Sequence, residues 1–460
     1  MQTPLNILIL AAGLGTRMKS RKAKVLHQAA GKALVEHVTD TALRLTTPDR
    51  ITVVIGHQAD RVRDLLSPRG VRFALQSDPK GTGHAVLCSE STVTERTGRV
   101  VILYGDVPLL SLATLETLIA LQSSSAAAAT AITTHLDNPT GYGRIIRNPS
   151  GEVTAVVEEK AATPEQRAIR EINAGIYCFD AALLWKHLHD IQTNNPAREY
   201  YLTDMVEILS RNGHRVLPLV VEDPTELLGI NTKLDLAEID GILRTRKVRQ
   251  LMLDGVTIER PETVTVDEQV VIGPDTILEP FTRILGNTTI GAECRIGAYS
   301  IIESSTLEDD VHVNPFSIVA TSHVESAARI GPYARLRLEN HVESGAHVGN
   351  FVELKKTRLG KGTKAQHLAY LGDSTIGENV NIGAGTITCN YDGKKKHQTK
   401  IGDNSFIGSN STLVAPVSIG PSSYVAAGSV ITHPVPADAL ALGRSRQIIK
   451  EGWAKKRREE

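Results

Sequence analysis

The stretch "VIGPDTILEPFTRILGNTTIGAECRIGAYSII", residues 271–302, decides the fold of the C-terminal half. Ile272, Leu278, Ile284, Ile290, Ile296 and Ile302 recur at every sixth position. A helical face repeats about every 3.6 residues and a half-buried strand every two, so neither produces this period. The same spacing returns in Val324, Ile330, Leu336, Val342, Val348 and Leu354, and again in Ile401, Ile407, Leu413, Ile419, Val425 and Ile431. Ile-Gly occurs nine times between 272 and 420. Hexapeptide repeats of a parallel β-helix account for this pattern: each apolar residue points into a narrow prism, and the glycine after it permits the corner. With three hexads per coil, the chain from about residue 266 builds roughly nine coils.

Upstream the period changes. "NILIL", "ITVVIG", "RVVILYGD" and "AATAITT" read as strands, while "LVEHVTDTALRL", "ADRVRDLL" and "SLATLETLIALQ" read as helices. Alternation of this kind predicts an α/β domain, Rossmann-like, on a mostly parallel sheet. Residues 232–253 space Leu236, Ile239, Leu243 and Leu251 along one face and predict a connecting helix, which Gly241 weakens. The expected division is 1–231, a linker helix 232–253, the β-helix 254–445 and a tail 446–460.

Composition narrows the function. In 460 residues, 51 Lys and Arg balance 51 Asp and Glu, so no global field draws the chain to nucleic acid or a membrane. The terminal "KKRREE" reads as a solvated tail. No apolar run approaches the roughly 20 residues of a spanning helix, and the first residues lack the charged n-region and small-residue cleavage site expected of a signal peptide. The four cysteines lie far apart with no CxxC pair, as expected of scattered thiols in a reducing cytoplasm.

Open α/β sheets bind ligands at the carboxyl ends of their strands, and two motifs fall there. "AAGLGTRM" (11–18) follows "NILIL", with Arg17 and Lys24 close behind; it lacks the GK[ST] of a P-loop and the third glycine of a dinucleotide fingerprint. On local sequence a phosphate cradle and a tight turn both stay open. A second glycine loop, "LQSDPKGTGHAV", carries Gln76, Gly81 and Thr82 and favours a nucleotide held from two sides. "YGDVPLL" ends a strand on Tyr104, Gly105 and Asp106. Such an aspartate is commonly a cap or turn former, but beside a phosphate site it is a candidate Mg²⁺ ligand.

"LAAGLGTRM", "KVLH", "GTGHA", "YGDVPL", "PTGYGRI", "VVEEK", "INAGIY" and "GIN", in that order, resemble the nucleotidyltransferase domain that makes UDP-N-acetylglucosamine. "GAHVGNFVELKKTRLGKGTKAQHLAYLGD" and "NVNIGAGTITCNYDG" resemble the acetyltransferase half of the same bacterial bifunctional family, whose rod is a left-handed parallel β-helix. The resemblance spans essentially the whole chain. It implies that Leu10, Ala11, Ala12, Gly13, Gln76, Gly81, Thr82, Tyr104, Gly105 and Asp106 hold the uridine nucleotide. Arg17 and Lys24 would neutralise its phosphates, and Tyr142, Gly143, Glu158 and Asn173 would contact the sugar phosphate. Asp106 and Asn231 would ligate Mg²⁺.

For the rod, the same resemblance makes His367 the general base that takes a proton from the glucosamine amine. A lone histidine is more often a surface or packed residue, but this one follows the basic cluster Lys355, Lys356, Arg358, Lys361 and Lys364. Arg337, Lys355, Tyr370 and Asn381 match sugar-phosphate contacts. Asn390 and Tyr391 match groups near the reacting centre, and Ala384, Ser409, Ala427 and Arg444 match acetyl-CoA contacts. The insertion "CNYDGKKKHQTK" (389–400) interrupts the hexads and reads as functional, its lysines offering charge for the phosphates of coenzyme A. Two positions depart from the family pattern: Leu338 stands where proline is expected, and Gln366 where a smaller residue is common.

The implied activities are acetyl transfer from acetyl-CoA to glucosamine-1-phosphate, then uridylyl transfer from UTP, in a homotrimer joined through the β-helix. A single-function nucleotidyltransferase with the rod as oligomerisation stalk is the alternative. A non-catalytic protein with this domain pair is disfavoured by the intact "GTRM", Lys24, Asp106 and Asn231.

Overall fold

Strand β1 (Leu5–Ala11) is buried on both faces. Leu8 and Leu10 join one hydrophobic cluster while Ile7, Ile9 and Ala11 join another, as a central strand covered by helices on both sides requires. The structure, a computed structural model, describes residues 3–93 and 95–460. It separates into two compact units, Met1–Leu243 and Arg244–Glu460.

In the first unit the sheet continues with β2 (Ile51–Ile55), β3 (Arg72–Leu75), β4 (Arg99–Tyr104), β5 (Ala129–His135), β6 (Arg144–Arg147), β7 (Val153–Val157), β8 (Glu171–Asp180) and β9 (Val216–Val220). The strand order is β9-β5-β8-β4-β1-β2-β3, with β6 pairing both β8 and β7. Neighbours run parallel except around β8 and in the β6–β7 pair. Helices Leu34–Leu43, Ala59–Leu66 and Leu112–Ser125 fall where the periodicity puts them. The last is capped by Ser111, whose Oγ accepts from the Thr114 amide at 3.1 Å.

A helix spans Lys233–Leu253. Ile239 and Leu243 are buried in the first unit's cores, and Val248 and Leu251 are buried in the second's. Gly241 is exposed and a Cβ there would meet nothing within 4 Å, so its cost is entropic and not steric.

In the second unit every third strand stacks, giving parallel sheets of 11, 10 and 9 strands around a left-handed prism. Every residue of the three hexad series is buried inside it. Stacking starts at Thr257–Ile258, inside the expected 254–445 but ahead of residue 266, where the six-residue period becomes readable, and adds coils beyond nine. The turn Pro261–Thr263 stretches the interval between the inward residues Ile258 and Val266, which hides this coil from a six-residue search. Elsewhere the interval shrinks to five, from Ile302 to Leu307, Val319 to Val324, Leu354 to Leu359 and Leu371 to Ile376. All four contractions fall at one corner, between the second and third sheets.

Gly331 has the left-handed φ (+85°) expected of a corner, but the other glycines that follow an isoleucine have a different reason. Gly291 has no left-handed φ; a Cβ there would lie 2.7 Å from the Glu308 carbonyl carbon and 2.8 Å from the Asp309 amide nitrogen. The next coil's backbone passes too close for a side chain. Left-handed φ falls instead on ordinary residues such as Asp275, Glu293 and Asp310. Five of these positions carry stacked rings: Phe281, Tyr299, Phe316, Tyr333 and Phe351 form a ladder with centroids 4.8, 5.1, 5.0 and 5.3 Å apart. That spacing follows the rise between coils. All five rings are at least 43% exposed.

The insertion is shorter than its sequence limits. Strand Ile387–Cys389 includes its first residue and strand Thr399–Ile401 its last two, so only 390–398 leave the prism. No helix among the described residues is long and apolar enough to cross a membrane.

Candidate functional site

A cleft of about 680 Å³ opens at the carboxyl ends of β1 and β4. Leu10 to Gly13 form one lip, and the turn Thr16–Met18 brings in Arg17. At Gly15, φ is +61° and a Cβ would lie 2.7 Å from the Lys24 Cβ. The bare backbone therefore lets Lys24 stand in the cleft. Its ammonium donates to Asp106 Oδ2 and lies 3.4 Å from Asn231 Oδ1, which also accepts from Arg17 at 2.8 Å. Lys24 and Asp106 are 17% and 14% exposed. The Asn231 amide donates to Asp235 Oδ2 at 2.8 Å. Burial raises the Asp235 pKa, but hydrogen bonds from Asn231 and Thr232 outweigh it and hold the carboxyl below its ordinary range.

The opposite wall holds Gln76, whose Nε2 donates to the Gly81 carbonyl at 3.1 Å and meets His84 at 3.0 Å. Gly81 (φ +101°) leaves room for the Tyr200 carbonyl, which a Cβ would approach to 2.5 Å. Thr82, Tyr104, Tyr142, Gly143, Glu158 and Asn173 complete the lining. Asn173 Oδ1 accepts from the Tyr177 hydroxyl at 2.9 Å and the Gly175 amide at 3.1 Å, leaving its amide nitrogen for a ligand. Burial pushes the Glu158 carboxyl up, against a hydrogen bond from Thr203 that lowers it. Burial, then Asp106, pushes the Tyr104 phenol well above its ordinary value.

Of the residues expected around the nucleotide, Gly105 alone stands behind the wall, its amide donating to the Leu10 carbonyl at 3.0 Å. Glu199, Tyr201 and Thr203 line the cleft without having been singled out. Their segment "REYYLTD" carries no spacing that separates it from an ordinary approach to helix Asp204–Arg211.

In the rod, Arg337, Lys355, Tyr370 and Asn390 gather on the second sheet. Arg337 bonds Glu353 at 2.7 Å. Lys355, 5% exposed, reaches Asp373 Oδ2 at 3.3 Å, and the Asn390 amide donates to the same oxygen. Tyr370 Oη lies 3.4 Å from Asn390 Nδ2. A Cβ at Gly372 would lie 2.5 Å from that hydroxyl and 2.7 Å from that amide, so the glycine is what lets the group assemble.

His367, Ala384, Ser409 and Ala427 form a second arrangement. Each lies two positions beyond an inward-facing residue of the first sheet, Ala365, Ile382, Ile407 and Val425. They therefore share one corner column. Backbone bonds tie successive steps: Gly385 to Leu368 at 3.0 Å, Asn410 to Ala384 at 2.7 Å and Gly428 to Ser409 at 2.8 Å. Three coils separate His367 from Ala427, about 14 Å at the strand spacing of a sheet. Arg444 donates to the Ala427 carbonyl at 2.8 Å, so a cation closes the far end. His367 is exposed and makes no side-chain hydrogen bond among the described residues; Asn381 and Tyr391 are exposed as well.

The two departures are visible here. Leu338 has φ +61° and Glu339 φ +56°, a conformation closed to proline. Gln366 Nε2 packs 3.1 Å from His347 Nδ1.

Residues 7–172 match the MobA-like NTP transferase domain, and residues 269–304 and 398–433 match the bacterial transferase hexapeptide (six repeats). The chain is 60% identical to the Bifunctional protein GlmU of Solibacter usitatus, covering 100% of this chain and 98% of the relative. It is 51% identical to that of Koribacter versatilis (99% and 97%) and 48% to that of Fervidobacterium nodosum (99% and 98%). With a nucleotide-sized cleft in the first unit, hexapeptide coils in the second and this similarity from end to end, the chain belongs to the family of the bifunctional GlmU proteins.

Proposed function

We propose that the chain catalyses two consecutive reactions of UDP-N-acetylglucosamine synthesis. The rod moves an acetyl group from acetyl-CoA to the amine of glucosamine-1-phosphate. The N-terminal unit then joins the N-acetylated sugar phosphate to UTP and releases pyrophosphate. The observation that carries the second step is the interlocked set Arg17, Lys24, Asp106 and Asn231 at the strand ends, facing a wall of sugar-sized polar groups.

Uridylyl transfer sets one anion against another, so positioning and charge neutralisation supply most of the rate and no protein nucleophile is needed. Backbone from Leu10 to Gly13 and the Gln76–Gly81–Thr82 wall hold the nucleotide. Glu158 and Asn173 orient the sugar, and Lys24 and Arg17 shield the phosphates. Asp106 and Asn231 fit Mg²⁺: their side-chain oxygens already share one ammonium, so one compact cation reaches both. No cluster of three or more His, Cys, Asp or Glu is gathered among the described residues, and Mg²⁺ characteristically takes one or two protein groups with phosphates and water. Bound there, Mg²⁺ would neutralise charge developing on the phosphates. Lys24, released from Asp106, would turn to a phosphate oxygen.

For acetyl transfer, His367 takes the proton from the attacking amine as general base, the commonest task of a positioned imidazole. The column from His367 through Ala384 and Ser409 to Ala427 offers a small-residue track for the arm of acetyl-CoA, with Arg444 toward its phosphates. Arg337, Lys355, Tyr370 and Asn381 receive the sugar phosphate, and Asn390 and Tyr391 stand near the reacting centre.

One prism offers His367 no partner, and a substrate arm needs a second wall. Rods packed about a three-fold axis supply it, and the exposed ring ladder gives a neighbour an apolar seam. All four cysteines are free thiols, in keeping with a cytoplasmic enzyme. One purified sample assayed for thiol release and for pyrophosphate release decides the reading. Both activities are expected; pyrophosphate release without thiol release would leave the rod a stalk.

A further inference from the structure

Lys355 brings an ammonium into a nearly closed position, and an ammonium without a counter-charge is costly there. The carboxylate that answers it is Asp373, itself 18% exposed. Asp373 sits at the contracted corner after the second sheet with φ +47°, a conformation that aspartate tolerates better than most residues. It is tied at four points. Its amide donates to the Lys355 carbonyl at 2.9 Å, and its carbonyl accepts from the Thr399 amide at 3.2 Å. Its Oδ2 accepts from the Lys355 ammonium at 3.3 Å and from the Asn390 amide.

Asn390 and Thr399 are the two feet of the excursion 390–398, so one side chain and its backbone staple both ends of that loop to the strand carrying Lys355. The loop returns a second amine, Lys396, and the neighbouring Lys355 lowers its pKa.

We propose that Asp373 is a positioning residue of the acetyl-transfer site, holding the Lys355 ammonium and the Asn390 amide in the one arrangement that receives the aminosugar phosphate. It rests on the acetyl-transfer reading above. Asp373 need not touch the substrate: Oδ2 is occupied by its two donors, and its effect passes through them. A residue of purely structural importance would affect both substrates together. A positioning residue affects the sugar phosphate through Lys355.

The test uses the full chain with Asp373→Asn, Lys355→Met and the double variant, measured for thiol release against each substrate and for pyrophosphate release. Asp373→Asn is expected to raise KM for glucosamine-1-phosphate about 10- to 100-fold, the scale of a charge-assisted hydrogen bond, with KM for acetyl-CoA within about twofold. Pyrophosphate release should be unchanged. The alkaline limb of kcat/KM should move to lower pH as Lys355 loses its counter-charge. The double variant should bind the sugar phosphate no worse than Lys355→Met alone. A sugar-phosphate KM within twofold of the parent overturns the proposal, as do equal rises in both KM values or additive effects in the double variant. If Asp373→Asn does not fold, the pair Lys355→Met and Asn390→Ala decides: unchanged sugar-phosphate KM in both also overturns it. A parent protein without thiol release refutes the acetyl-transfer reading itself, a different result from an active parent with indifferent variants.

Discussion

Replacing Asp106 by asparagine preserves shape and removes one charge at the centre of the nucleotide cleft. Asp106 is 14% exposed and paired with Lys24, which is 17% exposed. Two consequences follow. First, the ammonium loses its partner. Loss of one partner from a fully buried pair costs about 3–5 kcal/mol, and the residual exposure together with the neighbouring Asn231 oxygen reduces this to about 1–2 kcal/mol. The first unit's melting transition should fall by about 2–8 °C. Second, one of two oxygens offered to Mg²⁺ is weakened where charge develops on the phosphates. Removing one preorganised electrostatic contact of this kind costs about 10²- to 10³-fold in kcat, or about 2.7–4 kcal/mol. Lys24 is freed for the triphosphate, so KM for UTP should stay level or fall, the signature of an interaction made in the transition state. Pyrophosphate release, measured at saturating UTP and Mg²⁺ on protein whose thiol release is intact, reads the effect. A kcat loss below tenfold refutes the reasoning, and so does simultaneous loss of thiol release in folded protein, since the two sites lie on separate units.

His367→Ala should abolish thiol release and leave pyrophosphate release intact; mixed with Arg444→Ala, then unfolded and refolded together, it should regain part of its acetyl transfer, whereas mixed oligomers verified by mass that stay inactive would put both residues in one chain's contribution. Burial, with Glu207 and Glu158, pushes the Asp204 carboxyl up to about 6 from an unfolded value near 3.8. A raised folded pKa means the carboxyl favours the fold while protonated, so stability is lost as pH rises from about 4 to about 6. The full shift would correspond to about 3 kcal/mol, reduced to about 1–2 kcal/mol because Asp204 is half-buried. Asp204→Asn should therefore stabilise the first unit at pH 8 by that amount and flatten its pH dependence across this window; equal stability of the two proteins at pH 8 would contradict it.

The legible parts of the sequence are those where one physical requirement repeats. Inward residues at every sixth position announce the prism because each strand must supply one apolar side chain to a shared axis. Where geometry relaxes the interval, the signal fades: the turn Pro261–Thr263 concealed the first coil between Ile258 and Val266. Gly331 alone of the glycines that follow an isoleucine takes the left-handed conformation. Their spacing marks the corner, but at Gly291 the demand is steric clearance for the coil above, while Phe316 and Tyr333 accept the left-handed conformation. A sequence shows that a small residue recurs, and only the neighbouring backbone shows what excludes the side chain.

The residues that line the cleft of the first unit were legible because a phosphate site, as proposed there, recruits compact local motifs: a glycine loop, then cations within a few residues. Other parts of the lining were less so, since Glu199, Tyr201 and Thr203 reach it from the approach to a helix and no period marks them. The acetyl site lies at the other extreme. Its candidate residues are scattered from Arg337 to Arg444, yet most fall on two lines once wound: a corner column from His367 to Ala427 and a cluster at the second sheet around Asp373. Winding turns sequence distance into a rise of about 4.8 Å per coil. It cannot give a prism a cavity, because the interior is already filled by the hexad residues. Side chains able to bind a sugar phosphate must stand on outer faces, and a concave site then requires a second surface brought against them. The exposure of His367, Tyr391 and the five stacked rings is thus one consequence of the hexad core: the repeat that makes the rod self-sufficient as a fold leaves the proposed acetyl-transfer site open on one side, which is why the proposal completes it with a neighbouring copy.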